Sequence, residues 1–149
     1  QVRYFSSWTY ACVHVMTTCE RFQSSKVDMA EALGLPLEMI SEILEFLIHA
    51  GLVREENGRY VTGSARLHLG TDSPYLSQHH RNWNLKAVDK LGRDVKTGLH
   101  YSSVVTLTPE DIEHVKETFM QAIEKSKKIV RESKGEKVSS ITLNFFEIC

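Results

Sequence analysis

The sequence predicts an α+β fold in which a winged helix-turn-helix is followed by a bridging helix and a terminal β-α-β unit. Three observations predict this fold. Apolar residues recur every three or four positions through residues 1–50, as on the buried faces of helices. The pair Asn57-Gly58 stands between two short β-prone runs and predicts a hairpin. A Ser/Val/Thr-rich run, a long amphipathic segment and another apolar run close the chain.

Residues 1–63 have the element order of a winged helix-turn-helix. The first helix is predicted to begin at Ser6 or Ser7 and to end near Phe22. Two further helices and the hairpin are predicted over residues 27–33, 37–50 and 52–62. Gly51 follows the third helix, where a residue with left-handed backbone is favoured. Helices, a turn, a helix and a hairpin in this order are typical of the winged motif.

Residues 64–149 are predicted to form the bridging helix and the β-α-β unit, as a second region that can share one core with the first. The predicted elements are the bridging helix over 76–90, a strand over 101–107, a long helix from Thr108 to about Ser133 and a strand over 139–148. Thr108 is a suitable N-cap, and Pro109 suits the first helical position. Because two strands alone leave open edges, we expect them to pair with the hairpin, with another subunit or with both. A homodimer is therefore predicted.

Charge and composition indicate a cytoplasmic chain that does not enter a membrane. No apolar run approaches the roughly 18 residues that a membrane helix requires. The three cysteines form no paired pattern, which favours a reducing compartment. The net charge is −1, but residues 1–63 hold five Lys/Arg against eight Asp/Glu, or −3, whereas residues 64–149 hold thirteen against eleven, or +2. The half that resembles a DNA-binding motif is thus the acidic one.

The third predicted helix has the wrong charge for reading DNA. A recognition helix normally presents Arg, Lys, Asn or Gln to the bases and phosphates, but this one has Glu38, Glu42 and Glu45 and no cation. Only Arg54 and Arg59 of the hairpin are candidates for contact with DNA. The sequence therefore favours a winged helix that serves as a scaffold or protein contact, and direct binding to duplex DNA is the alternative.

The sequence predicts no catalytic, metal or cofactor site. Cys12 and Cys19 share a helical face, but His14 lies about 200° around the helix from Cys12, so the three cannot converge on a metal. No nucleophile elbow, phosphate loop or dinucleotide-binding glycine pattern is present. We therefore predict a chain that is not an enzyme.

The bridging helix has an aromatic face that is open to two interpretations. It comprises Tyr75, just before the helix, together with His79, His80 and Trp83. These side chains are candidates for lining a ligand pocket between the two regions, since such junctions often hold pockets. Packing in the core is the alternative.

Several segments together resemble one family of predicted transcriptional regulators of uncharacterised domain type, which is expanded in predatory and fibre-degrading bacteria. The similar segments are Ser7-Trp8-Thr9-Tyr10, Ala50-Gly51-Leu52-Val53, His79-His80, 101–107 and Leu143-Asn144-Phe145-Phe146. The chain departs from the family pattern at His100-Tyr101, where members have a charged pair, and at Phe146-Glu147, where they have Phe-Pro.

The resemblance implies that this region is the C-terminal part of a longer bacterial regulator. A separate N-terminal domain, not present in this chain, would bind the DNA. The beginning at Gln1 fits that expectation. The predicted function is a non-catalytic regulatory and dimerisation module that responds to a small-molecule or protein effector. The alternatives are a winged helix that contacts duplex DNA directly and a protein-interaction adaptor unrelated to transcription.

Overall fold

The chain combines helices with one small antiparallel sheet in residues 1–94 and 96–149, the part that the computed structural model describes. This confirms the α+β class. The elements are α1 (Val2–Phe5), α2 (Trp8–Met16), α3 (Glu20–Gln23), α4 (Lys26–Leu33), α5 (Leu37–His49), β1 (Val53–Glu56), β2 (Arg59–Thr62), α6 (Leu76–Lys90) and α7 (Pro109–Glu132).

The chain divides into two compact units. The first unit comprises Gln1–Asp89 and Gly135–Thr142, and the second comprises Lys90–Lys134 and Leu143–Cys149. The hydrophobic core lies in the first unit and is formed by α1 to α5 and the start of β1. Its fully covered side chains include Val13, Met16, Met29, Ile40 and Leu47.

Helix α5 is amphipathic, and its buried side fixes its orientation on the core. Ile40, Ile43, Leu44 and Leu47 are at most 3% exposed, and their spacing of three and four residues places them on one face. The preceding turn depends on Gly34, whose φ of +64° ends α4 in the left-handed region. The predicted bounds of α4, α5 and α6 agree with the structure to within one residue at each end.

The predicted hairpin is confirmed. Asn57 and Gly58 have φ values of +52° and +75°, as the two central residues of a type I′ turn require. The strands pair in the register Val53 with Thr62 and Glu56 with Arg59.

The single first helix predicted up to Phe22 is wrong, because the chain breaks it between α2 and α3. The Thr17 and Thr18 hydroxyls donate to the carbonyl oxygens of His14 and Val15, both at 2.7 Å. Such bonds compete with the helical ladder at its C-terminal end. The apolar spacing continues across the break, which is why the periodicity alone did not reveal it.

The prediction of a terminal β-α-β unit is also wrong. Its helix exists as α7, with the Thr108 hydroxyl accepting from the Asp111 amide at 3.1 Å, but residues 101–107 and 139–148, all described, form no strand. Val104 is 86% exposed and Ile148 is 74% exposed. A strand requires ladder hydrogen bonds to a neighbour, and these segments have no such neighbour within the described chain.

None of the helices in the described residues combines the length and the apolar character needed to cross a membrane.

Candidate functional site

The outer side of α5 is an acidic face formed by Glu38, Glu42 and Glu45. All three residues are exposed, because the opposite side of the helix is held in the core by Ile40 and Leu47. The Ser41 hydroxyl donates to the Leu37 carbonyl oxygen at 3.1 Å within the helix. The groups that this face offers to a partner are therefore mainly carboxylates, which accept hydrogen bonds and repel anions.

One cation, Arg3, lies beside the acidic face. Its guanidinium donates to the Tyr10 hydroxyl at 2.9 Å and stands 5.3 Å from the centroid of the Phe46 ring. The hydrogen bond that Arg3 donates to Tyr10 raises the pKa of Arg3, with a smaller contribution from the charge of Glu42. Arg3 thus joins α1 to α2 and α5, and its charge is directed at groups of its own chain.

The hairpin cations Arg54 and Arg59 both have partners within the first unit. Arg54 forms an ion pair with Glu56 at 3.1 Å. Arg59 donates to the side-chain oxygen of Gln23. With Glu55 also present, the two strands hold two arginines and two glutamates, so the hairpin presents no net positive charge to a phosphate backbone.

The aromatic face of α6 is brought together around one buried ring, that of Phe5. Phe5 stacks on Tyr75 at 6.2 Å between centroids and meets His79 edge-on at 5.6 Å. His79 in turn lies 6.5 Å from Trp83, while His80 is exposed. Tyr75 and Trp83 pack against the core, so the structure places three of the four predicted pocket residues in packing contacts.

A cleft of about 270 Å³ lies beside α6 and is lined by Trp8, Asn82, Leu85, Lys86 and Asp89. The Lys86 ammonium stands 4.0 Å from the centroid of the Trp8 ring and 3.4 Å from a carboxylate oxygen of Asp89. Asn82 donates to the Phe5 carbonyl oxygen at 2.9 Å. The volume falls just below the roughly 300 Å³ at which small-molecule sites begin. Sequence reasoning missed this cleft, because Trp8 and Lys86 are far apart along the chain.

Two histidines of the first unit have a lowered pKa. Burial lowers the pKa of His14, whose Nδ1 lies 3.0 Å from the Tyr4 hydroxyl. Burial also lowers the pKa of His79, and the neighbouring His80 adds to the effect. Burial raises the pKa of Tyr4 to about 12. The pair Tyr4 and His14 is therefore neutral near pH 7 and acts as a half-buried polar contact between α1 and α2.

We expect the free energy of unfolding to decrease as the pH falls below 6.5, the ordinary pKa of histidine. The unfolded chain then binds protons that the folded chain excludes at His14 and His79, so acid favours unfolding until the pH passes below the folded-state values. Urea denaturation at about pH 7.5 and about pH 5 measures this loss. His14→Gln should reduce the loss, and His68→Gln, at an exposed position, should leave it unchanged. Equal losses in the wild type and His14→Gln would refute the assignment.

The described residues hold no group of three His, Cys, Asp or Glu side chains placed to bind a metal ion. Cys12, Cys19 and Cys149 are free thiols. Burial raises the pKa of Cys12 to about 11, which makes its thiol a poor nucleophile at neutral pH.

These observations define an α+β protein whose exposed functional groups lie on an acidic helix, a neutral hairpin and the polar cleft of α6. The chain belongs to the family described as Domain of unknown function (DUF4423), whose model matches residues 1–148. The comparison with curated proteins found no match, and the comparison with solved structures found none either. Membership of an uncharacterised domain family over nearly the whole chain is thus confirmed.

Proposed function

We propose that this chain is a non-catalytic regulatory and dimerisation module of a bacterial transcriptional regulator. In this proposal residues 1–63 form a winged helix that serves as a scaffold and contact surface. The observation that carries the proposal is the acidic face of α5, because Glu38, Glu42 and Glu45 are all exposed. The element order α4, turn, α5 and hairpin supports the winged-helix assignment.

The negative charge of α5 argues against a role for this helix in recognising DNA. In a DNA-bound winged helix-turn-helix, the helix after the turn enters the major groove between two rows of phosphates. Carboxylates at Glu38, Glu42 and Glu45 would meet those phosphates at short range, and desolvation in the groove would strengthen the repulsion. Arg54 already pairs with Glu56, so the hairpin provides little compensation. A protein contact avoids this cost, because a partner can present Lys or Arg to the same surface.

The proposed mechanism is a shift of population by an effector. A separate N-terminal domain of the regulator reads DNA, and this module sets the spacing of two such domains in a dimer. The proposal places an effector of few atoms in the cleft beside α6, where the Lys86 ammonium can bind an acceptor and Trp8 and Leu85 can cover apolar atoms. An effector that binds one dimer arrangement more tightly than another would change operator affinity.

The absence of a catalytic role and the location in the cytoplasm are parts of the same proposal. A regulator of transcription works where bacterial DNA is, and free cysteines suit that reducing compartment. The raised pKa of Cys12 argues against a thiol nucleophile at that position.

A salt series with duplex DNA tests the proposal. A protein that holds phosphates loses affinity steeply as salt rises. We expect this chain to show no binding tighter than about micromolar at physiological salt, a range typical of non-specific contacts. Replacing the two hairpin cations, Arg54→Ala with Arg59→Ala, should change nothing. Binding tighter than micromolar, with a steep salt dependence that the double variant abolishes, would show that the hairpin holds DNA and would overturn the proposal.

A further inference from the structure

Many large apolar side chains of the second unit are exposed. Its most exposed apolar side chains are Leu99 (93%), Val104 (86%), Tyr101 (84%), Ile148 (74%), Phe146 (73%), Ile129 (69%) and Met120 (66%). None of the residues of α7, all of them described, is buried. On α7 the exposed apolar side chains Met120 and Ile129 stand among charged residues, so a partner helix can cover them without burying an unpaired charge.

Helix α7 also has a row of charges that is complementary to itself. Glu113, Lys116, Met120, Glu124 and Lys127 follow one another at intervals of three or four residues, so they lie in one row along the helix. We call these five residues the α7 row. Glu113 and Lys127 lie seven residues before and after Met120, and Lys116 and Glu124 lie four residues before and after it. Positions at equal distance from Met120 therefore have opposite charges.

The charges of the α7 row are exposed and paired along the helix. Lys116 is 2.8 Å from Glu113, and Lys127 is 2.7 Å from Glu124, with side chains that are 51% to 70% exposed. Phe145 packs on Phe119, with ring centroids 6.1 Å apart, and Lys116 lines a cleft together with Phe145, Phe146 and Glu147, so the C-terminal segment lies beside the first half of the row. Met120 remains uncovered at the centre of the row.

We infer that α7 pairs with α7 of a second copy of this chain in antiparallel orientation, with the two-fold axis at Met120. In that arrangement Glu113 of one copy lies opposite Lys127 of the other, and Lys116 lies opposite Glu124. Each of the four charged residues of the α7 row then faces the opposite charge, and Met120 faces its own copy, so the surface is self-complementary as in an isologous interface. In a parallel pair each residue would face its own copy, and like charges would meet. The antiparallel orientation also places the positive N-terminal end of each helix dipole beside the negative C-terminal end of the other.

This inference rests on the proposed dimerisation and specifies its surface and orientation. Two charge swaps test it by sedimentation equilibrium. The N-swap is Glu113→Lys with Lys116→Glu, and the C-swap is Glu124→Lys with Lys127→Glu. Each swap keeps the net charge and reverses one ion pair, so either one alone makes like charges face each other across the two-fold axis. We expect each swap to raise the dissociation constant of the dimer about tenfold or more, since several attractive contacts become repulsive.

Two combinations should restore association. An equimolar mixture of the N-swap and C-swap proteins should form a heterodimer in which every facing pair is again opposite in charge. The chain that contains both swaps should dimerise with nearly the wild-type constant. The matched control is Lys125→Glu with Glu132→Lys, which keeps the net charge, lies more than about 100° around α7 from Met120 and should have little effect.

The failures of the two proposals are distinguishable. A wild-type dimer that neither swap weakens would overturn the antiparallel α7 interface and leave the dimerisation module standing. A wild-type chain that stays monomeric at the highest concentration that sedimentation allows would overturn the dimerisation itself.

Discussion

Gly63→Ala should be among the most destabilising single substitutions in this chain. Gly63 is buried directly after β2, and its amide donates to the Leu52 carbonyl oxygen at 2.8 Å. A Cβ atom at this position would overlap the Gly51 carbonyl oxygen and would stand 2.7 Å from the Leu52 carbonyl carbon. Both neighbours are backbone atoms at the junction of α5 and the hairpin, so neither can rotate away. We expect a loss of about 3 kcal/mol or more in the free energy of unfolding, measured by urea denaturation.

Gly34→Ala is the matched control for that experiment. Gly34 has a φ of +64° with nothing near its hypothetical Cβ, so the substitution costs only the left-handed conformation, about 1–2 kcal/mol. If Gly63→Ala is no more harmful than Gly34→Ala, the close approach between Gly63 and the end of α5 is not a feature of the folded chain.

Leu47→Ala should remove about 2–5 kcal/mol from the free energy of unfolding. Leu47 is fully covered on the inner side of α5, in the core of the first unit. Truncation would leave a cavity that the surrounding helices cannot close completely. The substitution would also loosen the packing that keeps the acidic face directed outward, so the loss links stability to the proposed function.

Leu37→Ala is the control on the same helix with the same change of side chain. Leu37 is 42% exposed, so its truncation should cost less than about 1 kcal/mol. Equal effects of the two substitutions in urea denaturation would contradict the orientation of α5 described above.

The first half of the fold could be predicted from the sequence because its signals are local. Ser25 and Gly34 limit α4, the apolar spacing sets the face of α5, and Asn57-Gly58 forces a tight turn. The acidic face was predictable for the same reason, since a helix of known phase shows which residues point outward.

The strands expected on either side of α7 could not be decided in this way. Alternating apolar residues over 101–107 and 139–148 indicate β-propensity, but a strand exists only where a neighbour completes its ladder. Whether a neighbouring strand is present depends on the tertiary and quaternary structure, which local sequence patterns do not show. Val104 and Ile148, which the sequence pattern predicted to lie in strands, are therefore exposed at the surface.

The contacts that define the candidate site were hidden for a related reason. Phe5 meets Tyr75 and His79, and Lys86 meets Trp8, across long stretches of chain. The spacing of the aromatic residues on α6 predicted that they share one face of the helix. It did not show whether that face lines a ligand pocket or packs in the core. The partner of Arg59, Gln23, likewise lies 36 residues away.

A fluorescence anisotropy titration at low salt tests most directly whether the exposed carboxylates of α5 keep this chain off duplex DNA. Three proteins are compared: the wild type, the variant with Gln at positions 38, 42 and 45, and the variant with Lys at the same positions. We expect no saturable binding by the wild type, weak binding by the Gln variant, and clear binding by the Lys variant that falls steeply with salt. Tight binding by the wild type that the Gln and Lys changes leave unaltered would contradict the account.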